Sequence, residues 1–267
     1  MTEFDGPTRY FGQTSADVEK YKRRAELYTR LLTKQEHLGL FTKPFDRSKG
    51  HYSFFFPMFQ VLNMLRVIDL DPGSRILEVG AGSGWVTELL VGLGYAVEAI
   101  EPNVEMISAA QERIGKFQDK HKFFECTVRH HCSTLEEFDV SILPFMDAVL
   151  FFESLHHIAD ENFCLQKCFY SLRPGGSIGI IGESNWQPGN VEQETFLHEE
   201  IARFGTLESP FTFEYLDFAL HRAGFAQVVR YHGINGFFPL SAEDTPLKDV
   251  ADLSARFSNN VTAKRPI

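Results

Sequence analysis

The sequence predicts an α/β fold in which a doubly wound, mostly parallel sheet follows an N-terminal helical cap. From residue 75 onward, short apolar runs alternate with helical segments, which is typical of parallel strands joined by helices. Before residue 70, apolar residues recur at the spacing of amphipathic helices. No sequence period of about 20–50 residues repeats, so a solenoid is excluded.

The composition is that of an ordinary globular protein that acts on something other than a polyanion. The 267 residues are 43% hydrophobic and 23% charged, and their net charge is −10. A nucleic-acid binder needs a basic face, and four cysteines are too few for a disulfide scaffold in a chain of this length. The polar start is unlike a secretory signal, and no apolar run approaches the ~20 residues of a membrane span. We therefore expect a cytoplasmic protein with a small-molecule partner, no nucleic-acid partner and no membrane span.

Residues 1–70 are predicted to form the helical cap. A first helix starts at Ser15 and stops at Gly39. A second helix covers 51–70, with Pro57 near its start, where a missing amide hydrogen costs little. Aromatic side chains at the start of this helix form either a lid over a ligand or ordinary helix packing: His51, Tyr52, Phe54, Phe55 and Phe56.

Residues 71–183 are predicted to hold five strands and the helices between them. The strands are placed at 76–80, 96–103, within 123–138, from 147 into a loop ending at 157, and at 177–183. Residues 184–267 are expected to complete the same domain. They contain an irregular substrate loop at 184–210, a helix at 211–225 and two strands, at 226–233 and 261–267.

The segment ILEVGAGSGW, residues 76–85, is the most informative part of the chain. A strand that enters a glycine-rich turn before a helix lets a ligand approach bare backbone at the carboxyl edge of the sheet. The next strand ends in Glu101, whose carboxylate can accept both hydroxyl groups of a ribose. Together these features predict a nucleoside ligand.

The spacing of the glycines distinguishes between nucleoside classes. A dinucleotide site requires G-x-G-x-x-G, in which the third glycine lets helix and sheet pack closely. Counting from Gly80, that position is Trp85, and the glycine lies one residue earlier, at Gly84. No Lys-Ser/Thr pair follows, so a P-loop is excluded as well. A nicotinamide-dependent oxidoreductase is therefore disfavoured.

Four motifs together resemble those of class I S-adenosylmethionine-dependent methyltransferases of the small-molecule, type 11-like kind: EVGAGSG (78–84), Glu101, DAVLFFESLHH (147–157) and LRPGGSIGIIGE (172–183). The resemblance covers about residues 70–183. It implies a Rossmann-like, seven-stranded sheet whose last strand is antiparallel. It also implies S-adenosylmethionine as cofactor, with Gly80, Gly82 and Gly84 beneath its methionine and ribose, Glu78 at its amino group, Glu101 at its ribose and Pro102 or Met106 against its adenine.

One position departs from the family pattern. Many members carry an acid at the end of the third strand, where it reads the adenine amino group, but this chain reads CTVRHHCST there. The resemblance then implies that Thr127, Cys132, Ser133 or backbone carbonyls take that place.

Candidate catalytic residues lie in the loop after the fourth strand, which faces the methyl group by the switch-point rule. An oxygen or nitrogen acceptor has to lose a proton, and histidine suits that task near neutral pH. We expect His156 or His157 to be the base, with His156 favoured; the alternative is that they shape the cofactor pocket. Expected acceptor-binding residues are Glu153, Glu183 and Tyr215, and His198 and Arg203 form either a pocket wall or a solvated face.

No metal site is expected. Cys164 and Cys168 have a spacing that fits zinc, but they lie mid-helix between apolar residues, where buried free cysteine is commoner. Other candidate ligands fall into two groups without a specific spacing: Cys126, His130, His131 and Cys132 for zinc, and Asp147, Glu153 and Glu183 for Mg²⁺.

The acceptor is the least determined part of the prediction. The segment from Arg203 to Phe225 weakly resembles bacterial methyltransferases associated with polysaccharide assembly, which favours O-methylation of a sugar or glycan precursor. A phenolic, quinone or lipid-like metabolite is the alternative, given the 26 phenylalanines. A methyltransferase fold without turnover, serving as a binding module, is the third possibility.

Overall fold

A computed structural model describes residues 15–45, 51–122, 127–232, 238–239 and 259–267. The helices in these ranges are α1 (Ser15–Leu27), α2 (Lys34–Thr42), α3 (His51–Ile68), α4 (Trp85–Gly92), α5 (Val104–Lys120), α6 (Glu161–Ser171), α7 (Val191–Phe204) and α8 (Phe213–Ala223). The strands are β1 (Arg75–Val79), β2 (Ala96–Glu101), β3 (Val128–Cys132), β4 (Met146–Phe152), β5 (Leu172–Glu183), β6 (Ala226–His232), β7 (Phe238–Pro239) and β8 (Asn259–Lys264). None of these helices has both the length and the apolar character that a bilayer crossing requires.

One sheet contains all of these strands, in the order β3-β2-β1-β4-β5-β8-β6-β7. The first five are parallel to their neighbours, whereas β8 is antiparallel to both β5 and β6. Seven strands therefore form the predicted doubly wound sheet, and the two-residue β7 extends its edge. This arrangement confirms the Rossmann-like fold and the antiparallel last strand.

Alternating residues of the central strands are buried on opposite faces of the sheet. Leu77 of β1 and Phe151 of β4 belong to the cluster that packs against α6 and α8. Ile76 and Leu150, one residue away, belong to the cluster that packs against α3 and α4. Because side chains alternate along a strand, a near-continuous apolar run is what a sheet covered on both faces requires.

The cap contains more helices than the periodicity predicts. α1 ends at Leu27 and a short 3₁₀ turn covers Tyr28–Leu31. α2 begins after Thr33, whose hydroxyl accepts from the Glu36 amide while the Glu36 carboxylate accepts from the Thr33 amide. This capping box starts a new helix inside a segment that we predicted as one helix. α3 begins at His51, as predicted, but Pro57 lies inside the helix, beyond its first turn.

The expectation of an irregular loop at 184–210 is wrong for α7. The Asn190 side chain accepts from the amide of Gln193 and so caps the helix, which ends at Gly205 in the left-handed conformation. Leu197 and Phe204, seven residues apart, form its buried side. The start signal, Asn190, and the stop signal, Gly205, are both present in the sequence. The many polar residues between them obscured the helical period.

Candidate functional site

A cavity of about 610 Å³ opens where β1, β2 and β4 end. The carboxyl edge of a doubly wound sheet is the position at which such folds bind ligands. Predicted residues that line the cavity are Glu78, Gly80, Gly82, Glu101, Pro102, Met106, Ser133, Glu153, His156 and His157. The cap also contributes to the walls, through Tyr21, Ala25, Tyr28, Leu40 and Lys43.

The three glycines of the loop have different structural reasons to be glycine. All have positive φ, which disfavours side chains. A Cβ at Gly80 would lie 2.5 Å from Cβ of Ser154, and a Cβ at Gly84 would lie 2.6 Å from Cβ of Ala110. At Gly82 nothing lies within 4 Å of that position, because it faces the open cavity. Gly82 is therefore the glycine that leaves room for a ligand, whereas Gly84 allows α4 to approach α5 and is not a lining residue.

Glu101 is held in a fixed orientation at the end of β2. One carboxylate oxygen accepts from the Gly82 amide at 3.0 Å and the other from the Asn103 amide at 2.9 Å. Burial nevertheless raises the pKa of the Glu101 carboxyl. Each oxygen keeps a second lone pair for a ligand, and a pair of ribose hydroxyls matches that acceptor arrangement.

Ionisation of the buried Glu78 carboxyl is energetically unfavourable. The hydroxyl of Thr87 donates to it at 2.6 Å, but burial and the neighbouring Glu101 outweigh this bond. Together they raise the pKa of Glu78 to about 8. A ligand ammonium group beside Glu78 would restore the ionised form, which fits the amino group of S-adenosylmethionine.

This raised pKa predicts a pH-dependent stability in the ligand-free protein. A folded-state pKa above the unfolded one stabilises the fold at low pH, and that contribution is lost as the pH rises through about 8. Relative to Glu78→Gln, wild-type stability is therefore expected to fall between pH 5 and pH 8, by up to about 1.4 kcal/mol per pH unit. Urea unfolding of both proteins at three pH values measures the difference. Parallel stability curves would show that Glu78 ionises normally.

The predicted adenine end of the cavity is lined by residues that follow β2 and β3. Met106 is buried and lies in the cavity wall beside Pro102. Three side chains were expected to take the place of the acid that many family members carry after the third strand: Thr127, Cys132 and Ser133. Of these, Ser133 lines the cavity. Cys132 is exposed and points its thiol at the Pro102 carbonyl, at 3.7 Å. Thr127 precedes β3 and so lies at the opposite end of the strand, which excludes it from the site.

Hydrogen bonds join the cap directly to the glycine loop and to Asn103, the residue that caps α5. The side-chain Nδ2 of Asn103 donates to the carbonyls of Ala25 and Glu26, at 3.3 and 3.1 Å, where α1 ends. The Ser83 hydroxyl donates to the carbonyl of Leu40 at 3.0 Å. Arg113 bridges the two parts, because its guanidinium donates to the carbonyls of both Ser83 and Phe41.

The aromatic side chains that were predicted to form a lid, His51, Tyr52 and Phe54–Phe56, lie outside the side chains that the structure describes. Their role stays a prediction. The described wall residues of the cap come instead from α1, the 3₁₀ turn, α2 and Lys43, which follows α2.

Glu183 organises the loop after β4. Its two oxygens accept from the amides of Ser154, Leu155 and His156 at 2.8–3.2 Å, and from Nδ1 of His156 at 2.7 Å. Burial opposes its charge, but the adjacent His156 outweighs burial and lowers the pKa of the Glu183 carboxyl. Glu183 is 1% exposed and does not line the cavity. The prediction that it binds the acceptor is therefore wrong, since its oxygens are already used within the protein.

His156 lies between two carboxylates. Glu183 binds Nδ1, and a Glu208 oxygen lies 3.6 Å from Nε2. Burial opposes the charged imidazolium, but Glu183, Glu208 and Glu153 outweigh it and raise the pKa of His156 to about 9. At neutral pH, both ring nitrogens therefore carry protons, and His156 has no lone pair for a base.

His157 has the opposite electrostatics, although its ring centroid lies only 4.0 Å from that of His156. Nδ1 lies 2.6 Å from the Leu207 carbonyl, which can only accept, so Nδ1 carries the proton. Burial and the charge of His156 lower the pKa of His157. The neutral ring thus has an unprotonated Nε2, and the side chain lines the cavity and is 42% exposed.

Glu153 occupies a strained position at the edge of the cavity. Its φ is +47°, unusual for a residue with a side chain. Gly182 makes this possible, because a Cβ there would lie 2.8 Å from Cγ of Glu153. The carboxylate pairs with Lys43 of the cap at 3.4 Å. Strain of this kind is commonest at functional sites, which agrees with the predicted place of Glu153 in the site.

Several other predicted site residues lie elsewhere. Tyr215 is buried in the core, where its hydroxyl donates to Glu161 of α6, so it cannot contact an acceptor. Arg203 pairs with Glu36 at 2.6 Å, and Nδ1 of His198 lies 2.8 Å from the Glu194 carbonyl within α7; neither residue lines the cavity. Asp147 accepts from the Arg75 amide at the opposite end of the sheet, far from the proposed Mg²⁺ ligands.

Three of the candidate zinc ligands, Cys164, Cys168 and His131, have structural roles. Cys164 and Cys168 are buried and free, and burial raises the pKa of both thiols, as expected of core cysteines. His131 pairs with Glu98 at 2.8 Å on β3, and Cys126 lies outside the described residues. Within the described ranges, the group whose possible metal-binding atoms do converge, within 4.8 Å of one another, is His156, His157 and Glu208.

The segment after α7, which lies in the predicted substrate loop, supplies wall residues that were not among the named candidates. Thr206, Leu207 and Glu208 line the cavity. The amide of Ser209 donates to the His156 carbonyl at 3.2 Å, which joins this segment to the loop after β4. No local motif marks these residues, because tertiary folding alone brings them within reach of residues about 50 positions earlier.

Comparison with known proteins agrees with this geometry. Residues 77–180 match the family model described as a methyltransferase domain. That range contains the glycine loop, Glu101 and the loop after β4, and the sheet order around it is the one described above. Residues 77–180 of the chain therefore form a methyltransferase domain.

Relatives of this methyltransferase domain include enzymes of quinone biosynthesis. The chain is 31% identical over 123 residues to a protein from Nitrobacter winogradskyi named ubiquinone biosynthesis O-methyltransferase, in a match that covers 46% of this chain and 44% of that protein. It is 36% identical over 112 residues to the human mitochondrial protein of that name, covering 40% of this chain and 28% of the relative. The chain thus spans less than half the length of either relative.

Solved structures show the same fold at low sequence identity. A crystal structure described as a putative methyltransferase from Bacillus halodurans has a TM-score of 0.57 at 13% identity, covering 78% of this chain and 99% of that one. The N-methyltransferase NodS from Bradyrhizobium japonicum, solved with S-adenosylhomocysteine, has a TM-score of 0.56 at 15% identity. That match covers 91% of this chain and 100% of NodS.

Proposed function

We propose that this protein transfers the methyl group of S-adenosylmethionine to a hydroxyl group of a small phenolic or quinone-like acceptor. The names of the matched relatives support this acceptor class over the sugar or glycan precursor that the sequence favoured. An acceptor oxygen rather than nitrogen is in keeping with the same names. Because the matches cover only part of each relative, the proposal for the acceptor also rests on the residues that line the cavity.

The cofactor half of the cavity fits S-adenosylmethionine, which supplies an electrophilic methyl group when bound. Gly82 leaves the open space, Glu101 would present its two oriented carboxylate oxygens to the ribose, and Glu78 would face the amino group. Met106 and Pro102 offer apolar contact for adenine. These residues would bind and orient the cofactor, and the cap residues that line the cavity would limit the access of water to it.

The observation that carries the catalytic proposal is the difference between the partners of two adjacent histidines: a carboxylate for Nδ1 of His156 and a backbone carbonyl for Nδ1 of His157. His157 holds its proton on Nδ1 through the Leu207 carbonyl, so its Nε2 can take the proton of an acceptor hydroxyl. His156, with its pKa of about 9, acts as a positioning residue: bound to Glu183, it fixes the loop and keeps a positive charge beside His157. This reverses the order of the two histidines expected from the sequence.

A turnover assay with matched acceptors tests the proposed function. Formation of S-adenosylhomocysteine should require a phenolic hydroxyl and should be absent with a monosaccharide and with anisole, which has no ionisable hydroxyl. Turnover with the monosaccharide alone would contradict the acceptor class. Tight S-adenosylmethionine binding without turnover on any hydroxylated acceptor would favour the binding module instead.

A further inference from the structure

Asn103 is a buried residue whose side chain contacts the ends of two helices. Its Oδ1 accepts from the backbone amides of Glu105 and Met106 at 3.0 and 3.1 Å and so caps the start of α5. Its Nδ2 donates to the carbonyls of Ala25 and Glu26, in the last turn of α1, at 3.3 and 3.1 Å. A serine or an aspartate could cap α5 equally well. What an amide group adds at this position is the contact with α1.

The contact with α1 supplies partners that this helix end lacks. Carbonyls in the last turn of an α-helix have no amide partner within the helix. α1 ends at Leu27, so the carbonyls of Ala25 and Glu26 fall in that turn. Nδ2 also lies 3.3 Å from the hydroxyl of Thr29, which is 4% exposed. Because Asn103 itself is 2% exposed, water has little access to these bonds, and the end of α1 is held from the start of α5.

The backbone of the same residue is bonded to the predicted ribose ligand. The amide of Asn103 donates to one carboxylate oxygen of Glu101 at 2.9 Å, and the amide of Gly82 donates to the other at 3.0 Å. Burial opposes the charge of Glu101 and raises the pKa of its carboxyl. Hydroxyl donors of a bound ribose would favour the ionised carboxylate, which accepts hydrogen bonds more strongly than a neutral acid. Occupation of the ribose site should therefore strengthen the bond between Glu101 and Asn103.

The part of the cavity that this bond would position is the wall formed by α1 and the 3₁₀ turn after it. Tyr21, Ala25 and Tyr28 are spaced as on one face of a helix, and all three line the cavity. The ring centroid of Tyr28 also lies 5.2 Å from that of Phe204, at the end of α7. A shift of α1 would therefore move a wall of the cavity together with its contact to α7.

We propose that Asn103 is a positioning residue, which couples occupation of the ribose site to the position of α1 in the cavity wall. Binding of S-adenosylmethionine would thereby fix one wall of the cavity. The coupling is reciprocal, so a fixed α1 also favours cofactor binding. This role goes beyond the proposed methyl transfer and does not depend on which acceptor is methylated.

Hydrogen–deuterium exchange of backbone amides, with and without saturating S-adenosylhomocysteine, tests the coupling. In the wild type, the ligand should slow exchange by at least about fivefold in residues 20–31, as well as in residues 80–84. Asn103→Ser keeps a capping oxygen for α5 but lacks Nδ2. In this variant, the ligand should still slow exchange in residues 80–84 but should change it in residues 20–31 by less than about twofold. Asn103→Asp, which also keeps the capping oxygen and lacks the donor, should give the same result.

Asn190→Ser is the matched control. Asn190 caps α7 by accepting from the amide of Gln193 at 3.0 Å, but it does not line the cavity. This variant should therefore keep the wild-type effect of the ligand on residues 20–31. The comparison separates the loss of a helix cap from the loss of the link to α1.

Two results would overturn the inference. In the first, the ligand slows exchange in residues 80–84 of the wild type but leaves residues 20–31 unchanged. In the second, the slowing in residues 20–31 is as large in Asn103→Ser and Asn103→Asp as in the wild type. If the ligand slowed exchange in neither segment of the wild type, the predicted cofactor site would be contradicted and the inference with it. Slowing in both segments that is lost from residues 20–31 in the two variants would support the inference, even if no acceptor were methylated.

Discussion

Replacing Gly82 by Val should weaken S-adenosylmethionine binding by at least about a hundredfold, or about 2.8 kcal/mol. Gly82 has φ +55°, and a side chain there would extend into the open part of the cavity. The branched side chain would occupy the space beneath the ligand, and its strain would move the amide that orients Glu101. Equilibrium titration of the purified variant measures the loss.

A second glycine variant separates ligand exclusion from backbone strain. Gly94 also has positive φ, +88°, and nothing lies within 4 Å of its Cβ position, but it is exposed and outside the cavity. Gly94→Val should therefore lose a comparable amount of stability while cofactor affinity stays at the wild-type level. If Gly82→Val bound S-adenosylmethionine as tightly as Gly94→Val, the ligand would not lie beneath the loop.

His157→Gln should lower kcat by about 10²–10⁴-fold and leave S-adenosylmethionine affinity unchanged. Glutamine can still donate to the Leu207 carbonyl, but it cannot take a proton from an acceptor. The lowered pKa of His157 also predicts that wild-type kcat/KM falls on the acid side of neutrality as the imidazole becomes protonated. That acid limb should be missing from any residual activity of the variant.

The exposed His198 on α7 gives the matched control. His198→Gln removes an imidazole that does not line the cavity, so both kcat and the pH profile should stay as in wild type. Undiminished kcat in His157→Gln would remove the base role from His157. If His156→Gln lost turnover while His157→Gln kept the wild-type kcat, His156 would be the base, as the sequence predicted.

The cofactor half of the site could be predicted from sequence because its parts are local. Gly80, Gly82 and Glu78 lie within five residues, and Glu101 follows at the end of the next strand. Strand, turn and helix signals place them at one edge of the sheet without any long-range information. Gly84 shows the limit of this reasoning, since its contact with Ala110 of α5 is visible only in three dimensions.

The acceptor half could not be predicted because its properties arise between distant segments. His156 and His157 are adjacent in sequence, but Glu183 on one side and Leu207 with Glu208 on the other give them opposite protonation states. Tyr215 fails for the same reason: its partner Glu161 lies on another helix, which draws the hydroxyl into the core. Sequence spacing indicates which side chains are near the edge of the sheet, but not which oxygens remain free.

The central claim is that the crevice at the ends of β1 and β2 binds an adenosyl methionine rather than a dinucleotide. Calorimetric titration of the wild-type protein with S-adenosylmethionine, S-adenosylhomocysteine and NADH tests this claim most directly. For each of the first two ligands we predict one site per chain, whose affinity Gly82→Val lowers by at least about a hundredfold. With NADH we predict no heat of binding. Saturable NADH binding in a protein that fails to bind S-adenosylhomocysteine would contradict the assignment of the site.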